Sequence, residues 1–219
     1  MDDLLKSLEA TLTGTSVDDF RAEVKRWLVM ARDLRWKKPY TKLAYAPMLE
    51  LLRYMRVSNY RTYIVTGGAQ DFVRVFADQV YGIPPERVVG TASGISYEYD
   101  KHGRPFLTKD PKLLLNDNNA GKPEGIHLMI GRRPYAAFGN STGDRQMLEY
   151  TKAGGGERLA MLVLHDDAQR EYAYGPAQGL PATMVGTFTQ ALYDEAMSKG
   201  WIVISMKNDW KRIFDGSPS

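Results

Sequence analysis

From about residue 45 onward, short apolar runs alternate with amphipathic stretches, and that alternation leaves few folds open. "YRTYIVTGG" reads as a strand, "AQDFVRVFADQVYG" as a helix, and "RVVGTA" as a strand. "GKPEGIHLMIG" then reads as a short helix, "PYAAFGN" as a strand, "DRQMLEYT" as a helix and "RLAMLVLH" as a strand. "DDAQREYAYG" is expected to form a short helix, "TFTQALYDEAMSKG" a longer one capped by Gly200, and "WIVISMK" the last strand. Strands and helices in alternation predict an α/β domain, a mostly parallel sheet covered by helices on both faces. One interruption, "ISYEYDKHGRPFLT", reads as a hairpin turning at His102-Gly103.

The first 45 residues differ. Leu4, Leu5, Leu8 and Leu12 recur at helical spacing, and "TGTSVDDFRAEVKRWLVMARD" carries the marks of a capped helix. Thr15 or Ser16 can serve as N-cap, Asp18 and Asp19 fall in the first turn, and Phe20, Val24, Trp27 and Leu28 share a face. A second helix, "MLELLRYMRVSN", comes after Pro47 with Met48, Leu51, Leu52 and Met55 on one face. The expected organisation is a helical segment over 1–45, an α/β core over 46–214 and a disordered tail over 215–219, with 175–186 a loop by composition.

Composition removes several classes of function. The chain has no Cys, which excludes disulfides and thiolate metal sites. His102, His127 and His165 share no ligand spacing, so a His-based metal site is not expected. A net charge of +3 is too weak to argue for nucleic acid. The segment "RDLRWKKPYTK", with Trp36 and Tyr40 among its cations, reads more simply as a solvated helix end than as a strand-binding groove. No apolar run reaches the length of a membrane span, and no leader is visible, so a cytoplasmic location is the default expectation.

In open α/β sheets ligands gather at the carboxyl ends of strands, and three such ends here carry polar, Gly-rich turns. Thr66-Gly67-Gly68 offers a hydroxyl and backbone N–H groups to an anion; its plainer reading is a tight turn whose glycines take positive φ. Lys122 sits beside Pro123 at a helix start, where the dipole disfavours a cation, so it reaches an anion or is solvated. In "FGNSTGD", Asp144 can cap the next helix, and the Asn140 side-chain oxygen can join a hard cation such as Mg²⁺.

Taken in order, Thr-Gly-Gly, then Lys, then Gly-Asn-Ser-x-Gly-Asp-x-x-Met-Leu, the chain resembles the haloacid dehalogenase superfamily of phosphohydrolases, near its phosphoserine-phosphatase-like branch. "YIVTGGAQDFVRVFADQVYGIPPERVVGT" is similar to the branch's second motif and the region after it, "AGKPEGI" to its Lys motif, and "AAFGNSTGDRQML" to its acidic motif. The resemblance spans roughly 45–214 and implies a three-layer Rossmann-like core, with 1–45 the remnant of a helical cap. It implies that Thr66, Gly67 and Gly68 hold phosphoryl oxygens, that Lys122 neutralises phosphoryl and nucleophile charge, and that Asn140 and Asp144 serve Mg²⁺ or orient Lys122. Asn140 stands where the family often has an Asp, which weakens the implied metal site by one charge.

The family's nucleophile, an Asp in an Asp-x-Asp motif ending the first strand, is expected upstream of residue 1. Asp18-Asp19, Asn116-Asp117-Asn118 and Asp166-Asp167 are the nearest substitutes, and none has the right preceding strand or place in the order. Without that strand, those ending at Thr66 and Phe138 are expected to lack their shared neighbour, leaving edges open to association. The expected function is therefore a Mg²⁺-dependent phosphomonoesterase acting on a small phosphorylated metabolite, inactive as this chain alone. The alternative is a noncatalytic phosphate-binding or assembly module on the same fold. Neither nucleic acid nor membrane is expected as a partner.

Overall fold

In the computed structural model, residues 14–183 and 187–215 are described. The periodic leucines at 4, 5, 8 and 12, the end of the loop at 184–186 and the tail from 216 lie outside them. The chain divides into two compact units, 1–117 and 118–219. Among the described residues the strands form two three-stranded sheets, and three of the four strand pairings are parallel, which makes the protein mixed α/β.

In the first unit, α1 (Val17–Met30) begins where the sequence marks it: the Ser16 side chain accepts the Asp19 N–H. Phe20 and Val24 are buried, whereas Trp27 is 43% exposed and stacks on Tyr40 at 5.6 Å. Helix α2 (Ala46–Val57) carries Pro47 in its first turn, for which that residue is preorganised. Strand β1 (Ile64–Ala69) leads into α3 (Gln70–Arg74) and α4 (Ala77–Tyr81). The single helix expected over 69–82 is thus broken near Phe76, whose φ of −121° leaves the helical region. The apolar period survives the break, so the pattern could not reveal it. Strands β2 (Val88–Tyr99) and β3 (Pro105–Leu115) form the hairpin, and sheet order is β1-β2-β3. Asp100 fixes the turn by accepting the His102 and Arg104 N–H groups. β2 absorbs both "RVVGTA" and the first arm of the hairpin, and β3 runs on through Pro111. Pro111 is tolerated because β3 is an edge strand, where a missing donor breaks no second ladder.

The second unit holds α5 (Gly121–Ile130), β4 (Ala136–Gly139), α6 (Arg145–Lys152), β5 (Leu159–Leu164), α7 (Gln190–Ser198), β6 (Ile202–Ser205) and α8 (Met206–Asp209). Its sheet is parallel, ordered β4-β5-β6, with Ala137 facing Ala160 and Leu162 facing Val203. Leu162 is fully buried and its β5 neighbours Ala160, Val163 and Leu164 nearly so, as a central strand covered on both faces requires. Leu148, Phe188, Leu192, Trp201 and Phe214 complete this core. Thr189 caps α7 by accepting the Leu192 N–H.

One expectation is corrected here: "DDAQREYAYG" is a turn, not a helix. Asp167 accepts the Gln169 and Arg170 N–H groups, a local alternative to helical bonding. The Arg170 guanidinium then binds the carbonyls of Met206, Lys207, Trp210 and Lys211. Among the described residues β1 pairs with β2 and β4 with β5, and each stands at its sheet's edge, without the shared neighbour whose lack the sequence reading expects.

Candidate active site

The loop after β4 is built around one carboxylate. Asp144 is 6% exposed, and its Oδ2 accepts the backbone N–H groups of Asn140 (2.9 Å) and Ser141 (3.0 Å) and the Ser141 hydroxyl (3.3 Å). Its Oδ1 accepts from Lys122 Nζ at 2.6 Å. Asp144 therefore does not cap α6; its side chain folds back into the loop that precedes it. Gly139 permits this, because a Cβ there would lie 2.4 Å from the Asp144 Cβ.

Lys122 lies in the first turn of α5 and is 7% exposed, which overturns the solvated alternative. A buried ammonium at a helix start meets both a desolvation cost and an adverse dipole, and the Asp144 carboxylate offsets them. Charge-assisted hydrogen bonds of this length are the strong kind. Thr142 ties the same loop to its surroundings, its N–H and hydroxyl both donating to the Thr187 carbonyl.

The Asn140 side chain faces two residues that sequence reasoning passed over. Its Nδ2 donates to the Tyr174 hydroxyl at 3.2 Å and lies 3.3 Å from His165 Nε2. Tyr174 Oη is itself 3.0 Å from His165 Nε2, with the rings stacked at 4.2 Å. His165 is 2% exposed, and burial pushes its pKa down to about 4 against the opposing pull of Asp166. The ring is thus neutral at pH 7. Its sequence signal was slight: a lone His directly after the strand that neighbours β4. His102 and His127 are exposed and take no part.

Thr66, Gly67 and Gly68 belong to the first unit. They form an irregularity in the β1–β2 ladder, where pairing jumps from Thr66–Gly90 to Ala69–Thr91. The Thr66 hydroxyl accepts the Gly68 N–H at 3.1 Å, and Thr91 Oγ1 donates to the Gly67 carbonyl at 2.8 Å. Neither glycine takes positive φ, so the tight-turn reading had the wrong cause. What needs a missing Cβ is the close approach of β2: one on Gly90 would lie 2.9 Å from the Gln70 Cα and 3.0 Å from the Gly68 carbonyl oxygen. The helix after this turn has only five residues.

Asp19, Asp166 and Asp167, among the substitute nucleophiles, have other tasks. Asp19 is bound to the cap residue Ser16. Asp166 accepts from the Ser205 hydroxyl and the Lys207 N–H, and Asp167 holds Arg170. Burial opposes ionisation of Asp167, but its hydrogen bonds from Arg170 keep its pKa below the ordinary carboxylate value. Asp117 is fully buried, and its N–H donates to Thr91 Oγ1.

A divalent cation fits this donor set poorly. Of the two residues the resemblance assigns to metal, Asp144 has both oxygens engaged by Lys122 and the loop amides, and Asn140 offers one neutral oxygen. Mg²⁺ takes hard oxygen ligands, typically with carboxylates among them. Among the described residues no group of three or more His, Asp or Glu side chains converges.

Comparison with known proteins bears on the motif order. No curated protein matches the chain. Among solved structures, a phosphoserine phosphohydrolase-like protein from Francisella tularensis subsp. tularensis SCHU S4 is 18% identical, with a TM-score of 0.38 over 55% of this chain and 51% of that one. The chain thus spans about half the length of that protein. The profile of the haloacid dehalogenase-like hydrolases matches residues 1–149, through the Lys122 and Asp144 motifs. The chain belongs to the haloacid dehalogenase-like hydrolase family.

Proposed function

We propose that the chain carries the charge-stabilising part of a phosphomonoester hydrolase site, in which Lys122 holds a phosphoryl group of a small phosphorylated metabolite. The observation that carries this reading is the buried Lys122–Asp144 pair at 2.6 Å. An ion pair this deep is weak evidence of stabilisation, because its desolvation offsets its attraction. A fixed ammonium in a water-poor site is, however, what a transferring phosphoryl group requires as charge develops on its oxygens. Asp144 orients the ammonium, and the loop amides in turn orient Asp144.

No Asp-x-Asp occurs in these 219 residues. The expected test is turnover of p-nitrophenyl phosphate by the 219-residue chain, and by a version extended through a strand bearing Asp-x-Asp. The chain alone is expected to be inactive and the extended version active. Robust turnover by the chain alone contradicts the assignment of the nucleophile. A second reading, a noncatalytic phosphate-binding module, is favoured by the same lack of an Asp-x-Asp. It predicts phosphate binding without turnover in both versions.

A further inference from the structure

We propose that Asn118 is a positioning residue for Lys122: its carboxamide, seated on Gly143, fixes how far the turn that starts α5 stands from the loop that carries Asp144. The inference deepens the phosphoryl reading, and only its consequence for ligand binding rests on that reading.

Asn118 ends the stretch Asn116-Asp117-Asn118, whose place in the chain does not suit a nucleophile. It is the first residue of the second unit and leads into α5. Its carbonyl accepts the Gly121 N–H at 2.9 Å, and the Asn119 carbonyl accepts the Lys122 N–H at 3.2 Å. Asn119 takes φ +51°, a left-handed conformation that Asn adopts more readily than most residues. Ala120, at the N-cap, has no side-chain oxygen with which to cap the helix. The placement of Lys122 is therefore set by this turn and by what the turn rests against.

It rests against Gly143. A Cβ at 143 would lie 2.7 Å from Asn118 Oδ1 and 3.8 Å from its Cγ. The φ of Gly143 is not positive, so the position uses the missing Cβ rather than backbone freedom. The contact is one of shape and holds whichever way the carboxamide is turned. Asn118 Oδ1 also accepts the Asn119 N–H at 3.1 Å, which keeps the side chain folded onto its own turn.

Gly143 is itself held on both sides. Thr142 donates its N–H and hydroxyl to the Thr187 carbonyl at 2.8 and 3.2 Å. Asp144 accepts the N–H groups of Asn140 and Ser141. The loop is thus a fixed surface for Asn118. A lysine has a long flexible stem and can reach a carboxylate across a range of backbone separations. The Lys122–Asp144 pair alone therefore leaves the ammonium some freedom, and the Asn118–Gly143 contact removes it. That matters for a group meant to meet a phosphoryl oxygen, because a misplacement of about 1 Å can cost on the order of a hundredfold in rate. Asn118 is exposed, so a side chain that merely filled space there would be replaceable without consequence for the buried ammonium.

The Lys122 ammonium reports the effect directly. In the uniformly ¹⁵N-labelled 219-residue chain at neutral pH it is expected to give a slowly exchanging ¹H–¹⁵N signal, because Asp144 holds it away from water. Asn118→Ala is expected to keep the native melting temperature, to shift that signal and speed its exchange several-fold, and to weaken binding of inorganic phosphate several-fold. Gly143→Ala is expected to shift the signal and weaken binding in the same way. In the Asn118→Ala background it is expected to add no further loss, because its methyl enters the space the carboxamide left. An unchanged ammonium signal in Asn118→Ala, whatever its melting temperature, overturns the proposal, and so do additive losses in the double variant. If Gly143→Ala does not fold, recovery of folding on adding Asn118→Ala supports the contact and failure to recover contradicts it. The signal is read without any ligand. A native chain that binds no phosphate therefore sinks the phosphoryl reading, while the ammonium signal still decides the role of Asn118.

Discussion

Gly139 is the residue on which the loop geometry turns. The backbone there must pass so close to Asp144 that a Cβ would overlap that side chain at 2.4 to 2.8 Å. Both the Asp144 side chain and the strand are pinned, so neither yields easily. Gly139→Ala is expected to cost about 1–3 kcal/mol, the range for forcing atoms into a packed site. Urea unfolding measures it, and a change within a few tenths of a kcal/mol would mean that Asp144 is not held as described. Lys122, Asn140 and Asp144 were legible in the sequence because each sits in a motif next to an element boundary. His165 and Tyr174 were not, because their meeting with Asn140 depends on β5 lying beside β4. No local spacing encodes that neighbour.

At the scale of elements, α6 and α7 are joined by charge. Arg145 donates to both carboxylate oxygens of Glu195 at 2.6 and 2.7 Å, and Lys199 bridges Glu195 and Glu149. The Arg145 hydrogen bonds hold Glu195 down to about 2, from an ordinary value of 4.5. Between those values the unfolded chain binds the extra proton. The contribution is therefore complete above about pH 4.5 and lost as pH falls through about 2. Glu195→Gln should lower the melting temperature at pH 7, and its curve should converge on the native one as pH falls toward 2. Parallel curves would show that the pair is solvated and contributes little.

The elements also show where sequence reading succeeds. Ser16 announced its helix because a cap is a local hydrogen bond. The segment 166–174 misled because its helical composition is overridden by the Asx turn at Asp167 and the reach of Arg170 to carbonyls about 40 residues away. The extent of β3 was hidden because its residues alternate poorly and include Pro111, which only its edge position allows.

Across the whole molecule, the alternation of strands and helices fixed the α/β class, while the division into two sheets depended on pairings that no single segment contains. The order of motifs placed the chain in its family, and the profile match over residues 1–149 spans those stretches. The central claim is that the buried Lys122–Asp144 pair serves a phosphoryl group and is not merely part of the core. Removing Lys122 alone strands a buried carboxylate and costs about 3–5 kcal/mol, whereas replacing both partners with apolar residues is often neutral. The most direct test is calorimetric titration of inorganic phosphate into the native chain and into the Lys122→Met/Asp144→Leu double variant. The native chain is expected to bind phosphate, and the double variant to stay folded and bind at least about tenfold more weakly, the loss of one charge-assisted hydrogen bond. Equal binding by the two, or none by the native chain, would contradict the account.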